Sequence, residues 1–228
     1  WKLINFRLRE YYIYYIFFNS KCNYILARYQ PTAMTMTKSL YLFFGVLLIT
    51  NNISSQITKS VTPYWVKTQT VNENPAIDLD ETTQGTVLLL YSEQVNVPMQ
   101  EAYLRVVTKI TDNVGVQSAS TINAAYDPSY QSLRFHNISI KRDGKFIDKL
   151  NIPDFQILRR ESNADSYIYD GSLSALLNMS DVRTGDIIDY SYSIKGFNPI
   201  HGNTFSSSFV LNDAEPVGKV YVSVISKD

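Results

Sequence analysis

The sequence predicts an all-β protein, an antiparallel β-sandwich, and three observations lead to this prediction. Apolar and polar side chains alternate in several short segments from Gly85 onward. Two Asp-Gly pairs, Asp143-Gly144 and Asp170-Gly171, mark tight turns beside such segments. No long window has the period of an amphipathic helix. Alternating segments separated by turn signals are typical of β-sandwiches.

The predicted strands follow one another along the chain. Gly115 interrupts the alternation, and we expect it to resume as a strand between Val116 and Asp127. Residues 167–180 fit either a single helical turn or a covered strand, because three leucines there suit both. The other strands are expected in residues 85–97, 101–112, 130–142, 155–161, 185–196, 203–213 and 217–227.

The segment around His136 carries the clearest local signal. Leu133 and Phe135 share one face of the predicted strand, and the apolar pattern then slips by one residue before Ile138 and Ile140. Because strands alternate with a period of two, the slip predicts a β-bulge at His136-Asn137. Asp143-Gly144 then predicts a hairpin, whose returning strand opens with Phe146-Ile147.

The first 55 residues are predicted to lie outside this fold. Residues 1–35 begin with Trp1 and resemble translation of sequence upstream of the true start. Residues 36–55 hold a lysine, an apolar run of about ten residues and then small residues, the pattern of a signal peptide cleaved near Ser55-Gln56. An uncleaved membrane anchor is the alternative, which so short a run disfavours. Residues 56–83 are a polar segment without sustained period, ahead of a sandwich domain at residues 84–228.

Charge excludes two classes of partner. The whole chain has 21 basic and 21 acidic side chains, but the part from Gln56 onward keeps 15 basic and 20 acidic ones, a net charge of −5. Nucleic-acid binding requires lysine and arginine against the phosphates, and an acidic domain is a poor candidate. A polybasic patch for anionic membranes is also missing, so we expect membrane contact only through an uncleaved signal segment.

Few side chains could carry covalent chemistry. The single cysteine, Cys22, lies in the leader, so the predicted mature part has no thiol nucleophile, disulfide or cysteine-based zinc site. The two histidines, His136 and His201, have no second ligand at metal-binding spacing. The GxSxG nucleophile motif and the glycine-rich phosphate loops do not occur. The sequence therefore predicts no enzyme activity, no metal and no cofactor.

The stretch DVRTGDIIDYSYSI holds the densest cluster of charge. Gly185 follows Arg183 in a turn, and Asp186 opens the next strand. Asp186 and Asp189 are three residues apart, so they point to opposite faces and cannot form an acid–base pair. We expect Asp181 or Asp186 to accept hydrogen bonds from the turn or to pair with Arg183. These residues, with the Asp-Gly pairs at 143–144 and 170–171, are predicted to form structural turns or an interface.

Four residues are candidates for a ligand surface. Tyr190 and Tyr192 alternate along a predicted strand and could present their rings from one sheet face. Tyrosines in strands are more often half-buried at the edge of a core, with a solvated hydroxyl. His136 at the bulge is expected to be a surface residue, and His201 either a surface residue or part of a groove.

Several blocks of the sequence form a distinctive succession: YDPSYQSLRFHNISIKRDGKFID, LRRE, IYDGSLSALLNMSDVRTGDIIDYSYSIKGFNPI and FSSSFVL. Together they resemble a domain of unknown function that precedes a transglutaminase-like core in exported bacterial envelope proteins. The resemblance covers roughly residues 84–227 and implies a β-sandwich. His136, Arg183 and Asp186 match its pattern as positions.

The resemblance also implies a partner domain. A papain-like core with a Cys-His-Asp site would follow Asp228, and it would form or cleave amide bonds through a thiolate. None of those catalytic residues can be carried over to this chain, so the resemblance implies an accessory domain beside an enzyme.

Two functional hypotheses follow. The first is a non-catalytic accessory domain of an exported transglutaminase-like protein, which positions substrate or docks the catalytic core. The alternative is a free-standing envelope module that binds peptide or glycan on a tyrosine-rich sheet. Under both hypotheses the mature protein is exported. It resides in the periplasm or cell envelope, or it is secreted.

Overall fold

The computed structural model describes residues 57–77, 84–159, 171–202, 204–209 and 216–226, and it assigns two further strands nearer the N-terminus. The chain divides into two compact units, Trp1–Ser54 and Ser55–Asp228. The first unit contains strands β1 (Ile13–Phe17) and β2 (Ile25–Tyr29), which pair antiparallel. The predicted signal peptide, residues 36–55, lies outside the described residues.

The second unit is built around a seven-stranded sheet. Its strands are β3 (Ile57–Lys59), β4 (Thr86–Asn96), β5 (Glu101–Ile110), β7 (Ser132–Arg142), β8 (Lys145–Asp148), β11 (Ile187–Lys195) and β12 (Val220–Ile225). Six of them follow the order β12-β4-β5-β11-β7-β3, and β8 pairs with β7 beside that path. The pairs β12/β4 and β3/β7 are parallel, and the other pairs are antiparallel.

A smaller antiparallel sheet accompanies the large one. Strand β10 (Leu173–Asn178) lies between β6 (Thr121–Tyr126) and β9 (Gln156–Arg159). The helix α1 (Asn113–Ala119) connects β5 to β6. Among the described residues, no helix has both the length and the apolar character that a membrane span requires.

The two sheets share one hydrophobic cluster. Its centre is β7, where Leu133, Phe135, Ile138 and Ile140 are fully buried. The small sheet contributes Ile122, Ala124, Tyr126, Ala175 and Leu177. This cluster covers one face of the seven-stranded sheet along β7 and β11.

A second, smaller cluster lies on the opposite face. Ile187 belongs to it, whereas its neighbour Ile188 belongs to the first cluster, as expected for successive residues of a strand. Its other buried members are Val87, Leu89, Leu90 and Val107, and Val71 and Ile77 pack against them. Residues N-terminal to β4 therefore cover this face.

Most of the sequence-based strands are present. The all-β prediction is confirmed, and residues 173–178 form a strand rather than a helical turn. The bulge is confirmed: Ser191 faces Asn137 and Tyr192 faces Phe135, which leaves His136 without an opposite residue. The hairpin is confirmed as well, with Arg142 paired to Lys145 across a two-residue turn.

Three expectations need correction. The strand expected between Val116 and Asp127 is present only from Thr121 to Tyr126. Residues 113–119 are helical, and the Asp112 carboxylate caps this helix by accepting from the N–H groups of Val114 and Gly115. Residues 204–209 form no strand. The arrangement is not purely antiparallel, since two outer pairs are parallel; alternation has the same period in both arrangements and cannot distinguish them.

Candidate functional site

The second face of the seven-stranded sheet is unusually rich in buried polar side chains. Strand register aligns Ser92 of β4 with Arg105 of β5, Ser191 of β11 and Asn137 of β7. Neighbouring rows add Gln94, Asn96, Glu101, Tyr103 and Ser193. We call this surface the polar face. Burial of so many polar groups requires that each one has a partner, and no unsatisfied side-chain atom is found among the buried described residues.

Residues 60–77, which we call the strap, supply many of these partners. The Gln94 amide accepts from the Lys67 N–H at 2.9 Å and donates to the Lys67 carbonyl at 2.9 Å. The Arg105 guanidinium donates to the Gln69 carbonyl at 3.0 Å while it holds Asp189 through two bonds of 3.0 and 2.7 Å. The sheet therefore binds the main chain of the strap with its side chains.

Apolar and aromatic anchors fix the two ends of the strap. Trp65 is 8% exposed, and its Nε1–H donates to the Glu101 carboxylate at 3.1 Å. Val71 and Ile77 pack against the second hydrophobic cluster. Side-chain exposure alternates along this extended segment, with the odd-numbered positions from Gln69 to Ile77 turned toward the sheet.

Lysines meet the acidic part of the strap. Lys141 pairs with the Glu73 carboxylate. Lys109 donates to the Glu73 carbonyl at 3.3 Å and to the Asn74 side-chain oxygen at 3.0 Å. The strap thus uses backbone, apolar and charged contacts along its length.

A partly open pocket of about 130 Å³, called the cavity below, lies between the middle of the strap and the sheet. Its lining combines donors and acceptors, and Asp189 neutralises its arginine. The lining residues are Thr62, Lys67, Thr68, Gln69, Ser92, Gln94, Tyr103, Arg105, Asn137 and Ser191. Such a lining suits neutral polar groups such as amides and hydroxyls.

A Glu–Ser–His network of two buried residues, Glu101 and Ser193, and the half-buried His136 lies next to the Trp65 anchor. The Ser193 hydroxyl donates to Glu101 Oε1 at 3.0 Å and lies 3.1 Å from His136 Nε2. His136 Nδ1 lies 3.1 Å from the Ser60 hydroxyl, and the ring stacks on Tyr103. Burial lowers the pKa of His136, opposed by the Ser60 carbonyl and the Glu101 carboxylate.

This network has the residue types of a hydrolytic triad but a different geometry. A nucleophilic serine donates its proton to the histidine, whereas Ser193 donates to Glu101. Ser193 is also 0% exposed, so a substrate carbonyl has no access to its oxygen. The network therefore ties the strap to β5, β7 and β11.

The charge cluster at Asp181–Asp186 forms a clamp around Arg142. Arg142 binds the Asp186 carboxylate through two bonds of 2.8 and 2.7 Å, and it binds the Asp181 carboxylate at 2.9 Å. Asp186 also accepts from the Arg183 N–H at 2.8 Å, and Arg183 pairs with Asp181. The sequence singled out Asp181, Arg183 and Asp186, but it did not identify Arg142 as their partner, because that residue lies on another strand.

Burial opposes the charge of Asp186, whose side chain is 2% exposed. Desolvation raises its pKa, but the hydrogen bonds from Arg142 and the Arg183 N–H outweigh it and hold the pKa below the ordinary value. The Arg142 and Arg183 side chains likewise lower the pKa of Asp181. Both carboxylates are therefore ionised and bind arginine side chains. This arrangement fits the structural turn that the sequence predicts.

Tight turns are present at two of the predicted glycine positions, Gly144 and Gly185. Asp143 and Gly144 form the β7–β8 turn with φ of 50° and 75°, and the chain at Gly185 also has a positive φ. Gly171 precedes β10 with a φ of 76°, and Asp170 lies outside the described residues.

The four ligand-surface candidates do not share one surface. Tyr190 and Tyr192 stack with ring centroids 6.4 Å apart and pack against the first hydrophobic cluster. Burial raises the pKa of both hydroxyls. His136 lies on the opposite face of the sheet, and His201 ends a 3-10 turn (Pro199–His201). Among the described residues, no three potential metal ligands form a cluster.

Comparisons with known proteins give a family match and a similar solved structure. A family model for a domain of unknown function with a solved structure, DUF3857, matches residues 99–228. A search of curated proteins gives no match. A crystal structure from Parabacteroides distasonis, described as a candidate protease, is similar with 17% identity and a TM-score of 0.44. The match covers 52% of this chain and 25% of that one, so the chain spans about a quarter of that protein's length.

Proposed function

Because the chain belongs to the DUF3857 family of domains of unknown function, we propose that it is a non-catalytic accessory domain of an exported transglutaminase-like protein. In this role it positions substrate or docks a catalytic core that forms or cleaves amide bonds. The catalytic thiol would come from that core, since the sequence from Gln56 onward has no cysteine.

The family match over residues 99–228 carries this proposal. It coincides with most of the region whose motifs resemble the domain that precedes transglutaminase-like cores. The sealed position of Ser193 supports a role without covalent chemistry, because the one described serine bonded to both a histidine and a carboxylate is closed to substrate.

An activity assay tests the non-catalytic role. The whole chain, purified alone, is incubated with a quenched fluorescent peptide and with a glutamine-containing protein plus a fluorescent amine. We expect neither hydrolysis nor amine incorporation. Turnover that is lost in a Ser193→Ala, His136→Gln double variant would refute the proposal, because it would assign the chemistry to this chain.

The association and the export are tested separately. An open reading frame with a Cys-His-Asp core beyond the codon for Asp228 is expected, and an immediate stop codon would remove the main support. Edman sequencing of the protein from the envelope fraction is expected to begin near Gln56, and recovery of Trp1 would contradict export through a cleaved signal.

A further inference from the structure

The strap is bound in the manner of a ligand. Within residues 60–77 the structure assigns no helix or strand, and the chain instead crosses the polar face in an extended form. Gln94 holds both main-chain groups of Lys67, and Arg105 and Lys109 hold the carbonyls of Gln69 and Glu73. Contacts to main-chain groups do not depend on the side chain at the contacted residue, so they suit an extended peptide of variable sequence.

The side-chain contacts give this face a preference. Trp65 occupies a buried position beside Glu101, and Val71, six residues later, enters an apolar cluster. Glu73, two residues further on, meets Lys141. The face therefore complements an extended chain with an aromatic residue, an aliphatic residue six positions later and an acidic residue two positions after that.

The fit is incomplete in the middle. The cavity of about 130 Å³ lies where Lys67, Thr68 and Gln69 pass over the sheet. This space is partly open to solvent and its lining is polar, so the strap leaves part of the polar face uncovered. Another chain with a larger neutral polar side chain at this point could fill it.

We propose that the polar face is a binding groove for an extended polypeptide and that the strap is its intramolecular occupant. The external ligand of this groove is a peptide that carries an aromatic, an aliphatic and an acidic residue at the same spacing as Trp65, Val71 and Glu73. This inference names a ligand class for the proposed accessory role. It rests on that role in one respect: the role makes a polypeptide the expected kind of ligand.

The test must allow for the strap, which competes with any added peptide for the polar face. A tethered segment acts at an effective concentration on the order of millimolar, so a peptide added to the parent chain binds weakly. An opened chain is made by Trp65→Ala with Val71→Ser, which removes two strap anchors and leaves every side chain of the polar face in place. Lys67→Pro is a second way to open the strap, since proline lacks the N–H that Gln94 accepts from.

The probe is a fluorescein-labelled peptide with the sequence of residues 60–77, and binding to the whole chain is followed by fluorescence anisotropy. We expect saturable binding to the opened chain, with a Kd at least about tenfold below that for the parent. Gln94→Leu in the opened chain is expected to weaken binding about tenfold, because two hydrogen bonds to the peptide are lost. A scrambled peptide is the matched control.

Two results would overturn the proposal. One is an opened chain that keeps a cooperative thermal transition but binds the labelled peptide no better than the scrambled one. The other is equal binding by parent and opened chains, which would place the contact outside the groove. If the double variant lacks a cooperative transition, the Lys67→Pro chain decides between the same outcomes. Neither result bears on amide-bond chemistry, so the proposed accessory role fails or stands on its own assays.

Discussion

Asp186 keeps its charge in a position that is almost closed to water. Two bonds from Arg142 and one from the Arg183 N–H replace its hydration, and they hold its pKa below the ordinary value despite burial. A pair of this kind adds little stability over an apolar pair, but removal of one partner leaves the other without compensation. The Asp186 carboxylate therefore contributes to the stability of the fold mainly because it is the hydrogen-bond acceptor of Arg142.

Asp186→Asn is expected to destabilise the protein by about 3 kcal/mol at neutral pH, because Arg142 loses its bidentate acceptor. Urea denaturation followed by circular dichroism measures the change. Arg183→Ala is the matched control: its ion pair with Asp181 is exposed, and its loss is expected to cost less than about 1 kcal/mol. Equal losses in the two variants would contradict the clamp.

The lowered pKa of His136 leads to a prediction of how the stability of the fold depends on pH. Burial lowers its pKa, so at a pH just below about 6.5 the unfolded chain takes up a proton that the folded chain does not. The stabilisation is complete above that pH and is lost as the pH falls toward the folded pKa. Glu101 and Arg134 are the charged groups that face the ring, and they act in opposite directions.

His136→Gln is expected to flatten the fall in unfolding free energy between about pH 7.5 and pH 5.5, because glutamine does not titrate. Urea midpoints across this range measure the effect. His201→Gln, in an exposed 3-10 turn outside this network, is the matched control for replacing a histidine by glutamine. A slope that stays unchanged in His136→Gln would show that other groups cause it.

At the level of elements, local signals were easier to predict than packing. The bulge at His136 and the turn at Asp143-Gly144 follow from a phase slip and a dipeptide, both of which are properties of adjacent residues. The helix α1 was missed, because its seven residues include Gly115 and two β-branched valines, which disfavour helices by propensity. Its cap, Asp112, is the signal that could have identified it.

Gly115→Ala in α1 is expected to change the stability in the direction opposite to that of most glycine-to-alanine substitutions in helices. Alanine normally stabilises a helix over glycine by about 1 kcal/mol. A Cβ at Gly115, however, would lie 1.8 Å from the carbonyl oxygen of Gly85, so backbone would have to move. We expect a destabilisation of about 2 kcal/mol, within the range for overpacking.

Thermal or urea unfolding measures this change, and Gln117→Ala on the exposed side of the same helix is the control. The control is expected to alter stability by less than about 0.5 kcal/mol. A Gly115→Ala variant that is more stable than the parent would show that α1 can move away from Gly85.

At the level of the whole molecule, the seven-stranded sheet separates two kinds of interior. One face shares an apolar cluster with the small sheet, and the other holds a polar network under the strap. The apolar side could be inferred from alternation along β7 and β11. The polar side could not, because serine, glutamine and asparagine at inward positions look like solvent-exposed residues.

The strap was missed for a related reason. Residues 56–83 were expected to have no sustained period, yet Gln69, Val71, Glu73 and Ile77 all turn toward the sheet. Two of these inward residues are polar, so a hydrophobic pattern does not reveal them. Nor can a sequence indicate that the partner of Gln94 is the backbone of Lys67, since main-chain groups are the same at every position.

Proteolysis shows whether the strap opens as a unit. The Lys67 side chain is exposed, but Gln94 holds its N–H and carbonyl, and a protease needs these groups free. Gln94→Leu removes both bonds, at about 1 kcal/mol each, so trypsin should cleave after Lys67 about tenfold or more faster. Lys145 in the β7–β8 hairpin is an internal reference site, and its cleavage rate should stay unchanged because the hairpin does not contact Gln94 through any described hydrogen bond. Parallel increases at both sites would mean that the substitution loosens the whole fold, and the strap would then not be a separate unit of opening.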